Sequence, residues 1–133
     1  MRQLALDYYE GLRRGELLIQ TCAECGKDSM YPRERCPFCH AAALAWKRSS
    51  GRGQLYSFTV QRAGAPIGFE DELPYALGVI RLDEGVQVLA RLRPDAEGTW
   101  GDYRVDAEVE LCDALVTRDD RAPAPWFRLT AQL

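Results

Sequence analysis

Four cysteines fall in two tight pairs, Cys22-Ala23-Glu24-Cys25-Gly26 and Cys36-Pro37-Phe38-Cys39, and a fifth, Cys112, stands apart. Each Cys-x-x-Cys can wrap a tight turn that points both sulfurs at one ion. Gly26 relieves the backbone just after the first turn, and Pro37 stiffens the second. The ten residues between Cys25 and Cys36 suit a short hairpin that brings the two turns together. The chemistry served by this spacing is a tetrahedron of thiolates around one zinc ion, each at about 2.3 Å. A catalytic zinc keeps one position open for water or substrate, whereas four sulfurs fill every position, so the expected role is a structural staple. Iron in the same cage is the minor alternative. A redox reading needs a thioredoxin-like βαβ unit, and none is visible. His40, directly after Cys39, reads as an exposed bystander rather than a ligand.

Other reactive groups are sparse. His40 is the only histidine, and no Gly-x-Ser-x-Gly elbow, phosphate loop or dinucleotide fingerprint occurs. The carboxylates of Glu70-Asp71-Glu72 and Asp119-Asp120 read as solvated loops. Cys112 ends a strand beside Glu108 and Glu110, with nothing nearby in sequence to lower its pKa, and reads as structural or incidental. No reaction centre emerges, so the chain is not expected to be an enzyme by itself.

The elements that must position the cysteines follow from hydrophobic periodicity. Leu4, Tyr8 and Leu12 make a narrow apolar stripe on a helix over residues 3–14, with Gly15 as its stop. So short a helix is unstable alone in water, so its stripe must find a surface, in this chain or on a partner. Leu17, Leu18 and Ile19 form a short strand leading into the first cysteine pair, and Trp46 closes the ribbon. Ser49-Ser50-Gly51-Arg52-Gly53 is a small, flexible cluster that reads as a domain boundary. Beyond it the pattern has period two. Strands are expected over 55–60, 76–82, 86–92 and 105–111, with a last short one over 126–129 after Pro123 and Pro125. Asp83-Glu84-Gly85 joins two of them as a hairpin, with Gly85 supplying a positive φ.

The expected architecture is therefore mainly β: an N-terminal helix over residues 1–16, a zinc ribbon over 17–47, and a five-stranded, partly open barrel of the OB type over 48–133. A small SH3-like barrel or an open sandwich is the rival.

Composition narrows the function. Hydrophobic residues make up 47% and charged residues 28%, as in an ordinary folded domain. No apolar run approaches the roughly 20 residues that span a bilayer. The first residues lack the apolar core of a secretory signal, which gives a cytoplasmic expectation. The net charge of -3 argues against a protein whose main task is gripping nucleic acid, because phosphate contacts supply most of that affinity. A local basic cluster (Arg33, Arg35, Lys47, Arg48, Arg52) and two strand aromatics, Tyr56 and Phe58, keep a single-stranded nucleic-acid binder as the alternative.

The run Tyr8-Tyr9-Glu10-Gly11-Leu12-Arg13-Arg14-Gly15-Glu16-Leu17 resembles the entry helix of a family of zinc-ribbon/OB-fold acyl-CoA-associated proteins, formerly a domain of unknown function. The likeness continues through Cys22-x-x-Cys25-Gly26, Tyr31-Pro32-Arg33 and Cys36-Pro37-x-Cys39. It resumes at Trp46, Gly51 to Val60, Leu73-Pro74-Tyr75 and Leu82-Asp83-Glu84-Gly85. Residues 97–104 and the tail after Leu115 match less well.

What the resemblance implies is a rubredoxin-like zinc ribbon and a non-catalytic accessory subunit. Such a subunit assembles with a thiolase-like enzyme (a thiolase, an acyltransferase or a thiolase-fold aldolase) and helps to bind a CoA thioester in lipid or steroid metabolism. A heterotetramer built around a thiolase-like dimer is the natural arrangement. On this picture Leu4, Tyr8, Leu12, Tyr31 and Phe38 face the enzyme, and Arg33, Arg35, Arg48 and Arg52 meet the phosphates of CoA, for which the planar donor fork of arginine is suited. The acyl group and the partner's reaction stay open.

Overall fold

The computed structural model describes residues 2–95, 97–115 and 121–130; Asp119 and Asp120 lie outside them. Helix α1 spans Arg2–Arg13 and ends at Gly15, whose φ of +81° only glycine adopts without strain. The ribbon follows as a three-stranded antiparallel sheet of β1 (Leu18–Cys22), β2 (Asp28–Ser29) and β3 (Leu44–Arg48), in the order β2-β1-β3. Trp46 lies in β3, opposite Gln20.

The second half is a closed barrel rather than a partly open one. Its strands are β4 (Arg52–Gln61), β5 (Tyr75–Leu82), β6 (Gln87–Leu92), β7 (Glu108–Cys112) and β8 (Trp126–Leu129), in the order β4-β5-β6-β8-β7. Pairing of β4 with β7 closes the ring through Arg52↔Glu110, Gly53↔Val109 and Gln54↔Glu108. Closure leaves fewer strand edges open to stray pairing. It also demands close backbone approach at Gly53, where an added Cβ would sit 2.3 Å from the carbonyl oxygen of Arg81. The expected hairpin is present, with Gly85 at φ +89° and its N–H donating to the Leu82 carbonyl at 2.8 Å.

Two departures from strict period two have local causes. A register shift between Leu55 and Ser57 puts a bulge at Tyr56. The extra residue flips the parity of β4, so Gly53 and Leu55 face the core ahead of it and Phe58 and Val60 lean inward after it. The strand read over 105–111 begins only at Glu108, because Asp106 takes φ +70° and leaves Val105 exposed.

The core is filled by Leu55, Ile80, Leu82, Val88, Leu92, Val109 and Phe127, all buried. The stretch over 97–107 adds two aromatics. Trp100 donates its indole N–H to the Leu92 carbonyl at 2.9 Å, and the Tyr103 hydroxyl donates to the Arg93 carbonyl at 2.6 Å. Both rings are buried, with their one polar group satisfied.

Ribbon and barrel are tied at two points. The carboxylate of Glu84, in the β5–β6 turn, accepts from the Ser49 hydroxyl at 2.9 Å and the Ser50 N–H at 2.8 Å, and the Ser49 oxygen accepts from the Gly51 N–H. Across the molecule, the Leu89 N–H of β6 donates to the Tyr31 hydroxyl at 2.8 Å. The segment read as a flexible boundary is thus pinned, with Ser49 and Gly51 buried.

Candidate metal centre and surface sites

The two cysteine turns are built alike. In the first, the Gly26 N–H donates to the Cys22 carbonyl at 2.8 Å and the Cys22 N–H to the Lys27 carbonyl at 3.0 Å. In the second, the His40 N–H donates to the Cys36 carbonyl at 2.9 Å and the Cys36 N–H to the Ala41 carbonyl at 3.0 Å. Gly26 and His40 therefore occupy equivalent positions, and both have positive φ, +74° and +66°. His40 sits where its backbone must be left-handed, and among the described residues it is not part of the ligand cluster.

The sulfurs of Cys22, Cys25, Cys36 and Cys39 all lie within 4.8 Å of one another. The Cys22–Cys39 and Cys25–Cys36 pairs stand at 3.6 Å. A tetrahedron of radius about 2.3 Å has edges of about 3.8 Å, so the four sulfurs match the shell of one zinc ion. Burial opposes ionisation of the Cys36 thiol, but the N–H groups of Cys39 and Phe38 outweigh it and bring the pKa down to about 6. The Phe38 N–H lies 3.4 Å from that sulfur. Cys22 and Cys36 are buried while Cys25 and Cys39 face solvent, so the ion would sit near the surface with all four ligands from protein.

The arginines read as a cluster do not share one site. Arg48 and Arg52 line a polar cleft of about 250 Å³ at the ribbon–barrel junction, together with Ser50, Gly51 and Glu110. Arg48 also reaches Glu16 at 3.8 Å. Arg33 and Arg35 lie in the loop between β2 and β3 and are not among the residues lining this cleft. Gln20 holds that loop by accepting from the Arg33 N–H at 2.8 Å and donating to the Arg33 carbonyl at 3.0 Å.

The apolar residues assigned to a partner face also divide. Tyr8 is 5% exposed and belongs to the core, so the helix stripe is turned inward, with Leu12 packed against the same core. Tyr8 still lines the wall of an apolar groove, beside Tyr9 and Tyr31. Tyr31 and Phe38 are exposed, although Lys27 covers the Phe38 ring at 4.9 Å. Tyr31 and Leu89 border an apolar groove of about 340 Å³ that runs past Tyr9 to Pro123 and Pro125. The two aromatics that would stack bases are separated by the bulge. Tyr56 is exposed beneath the Arg81 guanidinium, and Phe58 leans on Tyr103.

The acidic run contains the chief surprise. Glu70–Glu72 forms a single 3₁₀ turn, and the Glu72 carboxylate is buried rather than solvated. It accepts from Arg91 at 3.0 Å and pairs with Arg121. Arg91 is itself stacked between Tyr75 at 4.7 Å and Trp126 at 4.6 Å. Burial works against the Glu72 charge, but hydrogen bonds from Arg121 and Arg91 win and hold its pKa below the usual value. Three acidic residues in a row look solvated, and the arginines that answer Glu72 lie far along the chain. Cys112 borders a second apolar cleft beside Leu111 and Trp126, where burial pushes its thiol pKa up. That suits a bystander better than a nucleophile.

Two family profiles match adjoining parts of the chain. They are described as "ChsH2, rubredoxin-like zinc ribbon domain", over residues 10–45, and "ChsH2, C-terminal OB-fold domain", over residues 46–112. The benzoylsuccinyl-CoA thiolase subunit BbsA of Thauera aromatica is 35% identical over 107 residues, covering 78% of this chain and 67% of BbsA. A DUF35 domain-containing scaffold protein of Pyrococcus furiosus is 34% identical, covering 64% of this chain and 62% of its own length. A probable enoyl-CoA hydratase alpha subunit of Thermomonospora curvata is 29% identical over 64% of this chain, which spans only 26% of that protein. Among solved structures, one described as an Ltp2-ChsH2(DUF35) aldolase superposes with a TM-score of 0.79 at 24% identity, covering 98% of both chains. A DUF35-family protein of Sulfolobus solfataricus superposes at 0.61 with 14% identity, covering 93% of this chain and 83% of that one. These two likenesses establish a shared fold.

Proposed function

Because the chain belongs to the ChsH2 (DUF35) family of zinc-ribbon and OB-fold proteins, we propose that it is a non-catalytic accessory subunit of a thiolase-like enzyme that acts on acyl-CoA thioesters. The observation that carries this reading is the likeness to BbsA, a thiolase subunit matched over both ribbon and barrel. The chemistry of the chain is consistent with it. The metal-type cluster found among the described residues offers four cysteine ligands, which leave a zinc ion no position for substrate. Its one histidine is committed to a tight turn. A cytoplasmic location fits this reading, because the cytosol keeps the ligand thiols of such a cluster reduced.

In this role zinc is a staple. Leu17 and Ile19 anchor one side of the ribbon in the core, while the two cysteine turns lie beyond it, and a bound metal supplies the folding free energy that joins them. Contact with the substrate carrier falls to Arg48 and Arg52, which share a cleft where a phosphate group would find two guanidinium donors. Arg33 and Arg35, in a separate loop, serve the partner or a more distant part of the carrier. A heterotetramer of two such chains around an enzyme dimer is the arrangement we favour.

The test is co-expression with a thiolase-like enzyme of the same organism, followed by size and turnover measurements. The reading expects a stable complex and acyl-CoA activity only in the presence of the enzyme. Turnover by the isolated chain would contradict it. So would salt-dependent micromolar binding to a labelled single-stranded oligonucleotide with no complex formed.

A further inference from the structure

The cysteine cluster has an asymmetry that a structural metal site does not require. Each turn presents one buried and one exposed ligand. Cys22 and Cys36 are 2% and 1% exposed, whereas Cys25 and Cys39 face solvent. Two sulfur contacts join one turn to the other, Cys25 to Cys36 at 3.6 Å and Cys39 to Cys22 at 3.6 Å. Each exposed sulfur therefore lies against a buried sulfur of the opposite turn.

Oxidation of cysteine follows solvent access, and it stops at a disulfide when a second sulfur stands in reach of the first. The cluster offers that arrangement twice. Zinc ligands are thiolates, which is the form that attacks an oxidant. The sequence distances favour the same pairs. Cys25 and Cys36 are 11 residues apart and Cys22 and Cys39 are 17 apart, so bonds between them restrict the unfolded chain. A bond within one turn closes a much shorter loop and restricts it less. Only a bond between the turns can also hold them together once the metal has gone.

We propose that the cluster is a peroxide-sensitive modification site, in which exposed Cys25 and Cys39 are the points of attack and buried Cys36 and Cys22 resolve them into two disulfides between the turns. This rests on the structural-zinc reading above and not on the partner enzyme. It differs from Cys-x-x-Cys redox catalysis, where both sulfurs belong to one turn. In the first step the Cys25 thiolate attacks an oxygen of hydrogen peroxide. The O–O bond breaks, leaving a sulfenic acid on Cys25 and a hydroxide ion. The Cys36 thiolate then attacks the Cys25 sulfur, the S–O bond breaks, and a second hydroxide leaves. Two electrons have passed from two sulfurs to one peroxide. The sulfurs close from 3.6 Å to about 2.05 Å. Cys22 and Cys39 then supply only two of the four ligands, so the ion is released, and a second peroxide joins them in the same way. A covalent tie replaces the metal one.

The experiment treats the full zinc-loaded chain with hydrogen peroxide and follows released zinc with a colorimetric chelator. It uses Cys112→Ser, which removes the odd thiol. Alkylation and tryptic digestion without reductant identify the products, because Lys27 and Arg35 are cleavage points between the turns. Bonds between the turns join peptides 15–27 and 36–47 into one species, and bonds within a turn leave them separate. The expected result is loss of the zinc, joined peptides, and fragment ions that assign Cys25 to Cys36 and Cys22 to Cys39. Dithiothreitol with fresh zinc should restore the metal. Zinc retained in a large excess of peroxide, separate peptides, the opposite pairing or sulfinic acids in place of disulfides would each overturn the site and leave the structural zinc standing. A chain purified under reducing conditions without zinc would overturn both.

Discussion

At the scale of single residues, the four-cysteine cluster was the most legible feature of the chain and the burial of Glu72 the least. Two Cys-x-x-Cys pairs encode their own geometry, because each turn is local and needs only a left-handed residue after its second cysteine. Gly26 makes that visible, whereas His40 hides it behind a side chain that looks functional. Cys36→Ser should abolish stoichiometric zinc and unfold the ribbon. The check is elemental analysis with circular dichroism, and retention of one zinc per chain would contradict the expectation.

Glu72 makes a second case. Removing the charge leaves the buried Arg91 and the partly exposed Arg121 without their carboxylate, so Glu72→Gln should cost about 3 kcal/mol near neutral pH. The sign with pH follows from the lowered folded pKa. The unfolded carboxylate has an ordinary value near 4.5, so the contribution is complete above that value and fades as pH falls through it toward the folded pKa. Denaturant titrations from pH 7 to pH 4 should show the difference between wild type and Glu72→Gln shrinking. A difference independent of pH would mean that the loss does not come from ionisation of the Glu72 carboxylate.

At the scale of elements, periodicity located every barrel strand but did not give the parity of each. The bulge at Tyr56 is one extra residue that leaves no mark in composition, and it separates Tyr56 from Phe58 and so removes the apparent stacking pair. Trp100 and Tyr103 escaped notice as core residues because they sit among Gly101, Asp102 and other turn formers rather than in an alternating run. They are buried by folding back onto the carbonyls of Leu92 and Arg93. Barrel closure depends on a residue whose importance lies in what it lacks. At Gly53 a methyl group would meet the Arg81 carbonyl, so Gly53→Ala should destabilise the barrel by roughly 2 kcal/mol or more, read as a lowered denaturant midpoint. A midpoint equal to wild type would show that the strands can part without cost.

At the scale of the whole molecule, helix, ribbon and barrel act together. The Glu84 clamp on Ser49 and Ser50 and the Tyr31 hydroxyl on Leu89 fix the ribbon against the barrel, as a subunit that bridges surfaces requires. The fold class was readable from motif spacing and strand count, and the family from the resemblance of short residue runs, because both are carried by local patterns. The outward faces were not. The helix stripe through Tyr8 turned inward, and the four arginines fell into two groups. Which side of an element faces solvent is set by long-range packing, and a single sequence does not display it.

The most direct test of the accessory-subunit account is the mass of the purified assembly, measured by light scattering after this chain and a thiolase-like enzyme of the same organism are produced together. The account predicts one species containing two copies of each chain. Two separate peaks, each running at the mass found for that protein alone, would contradict it.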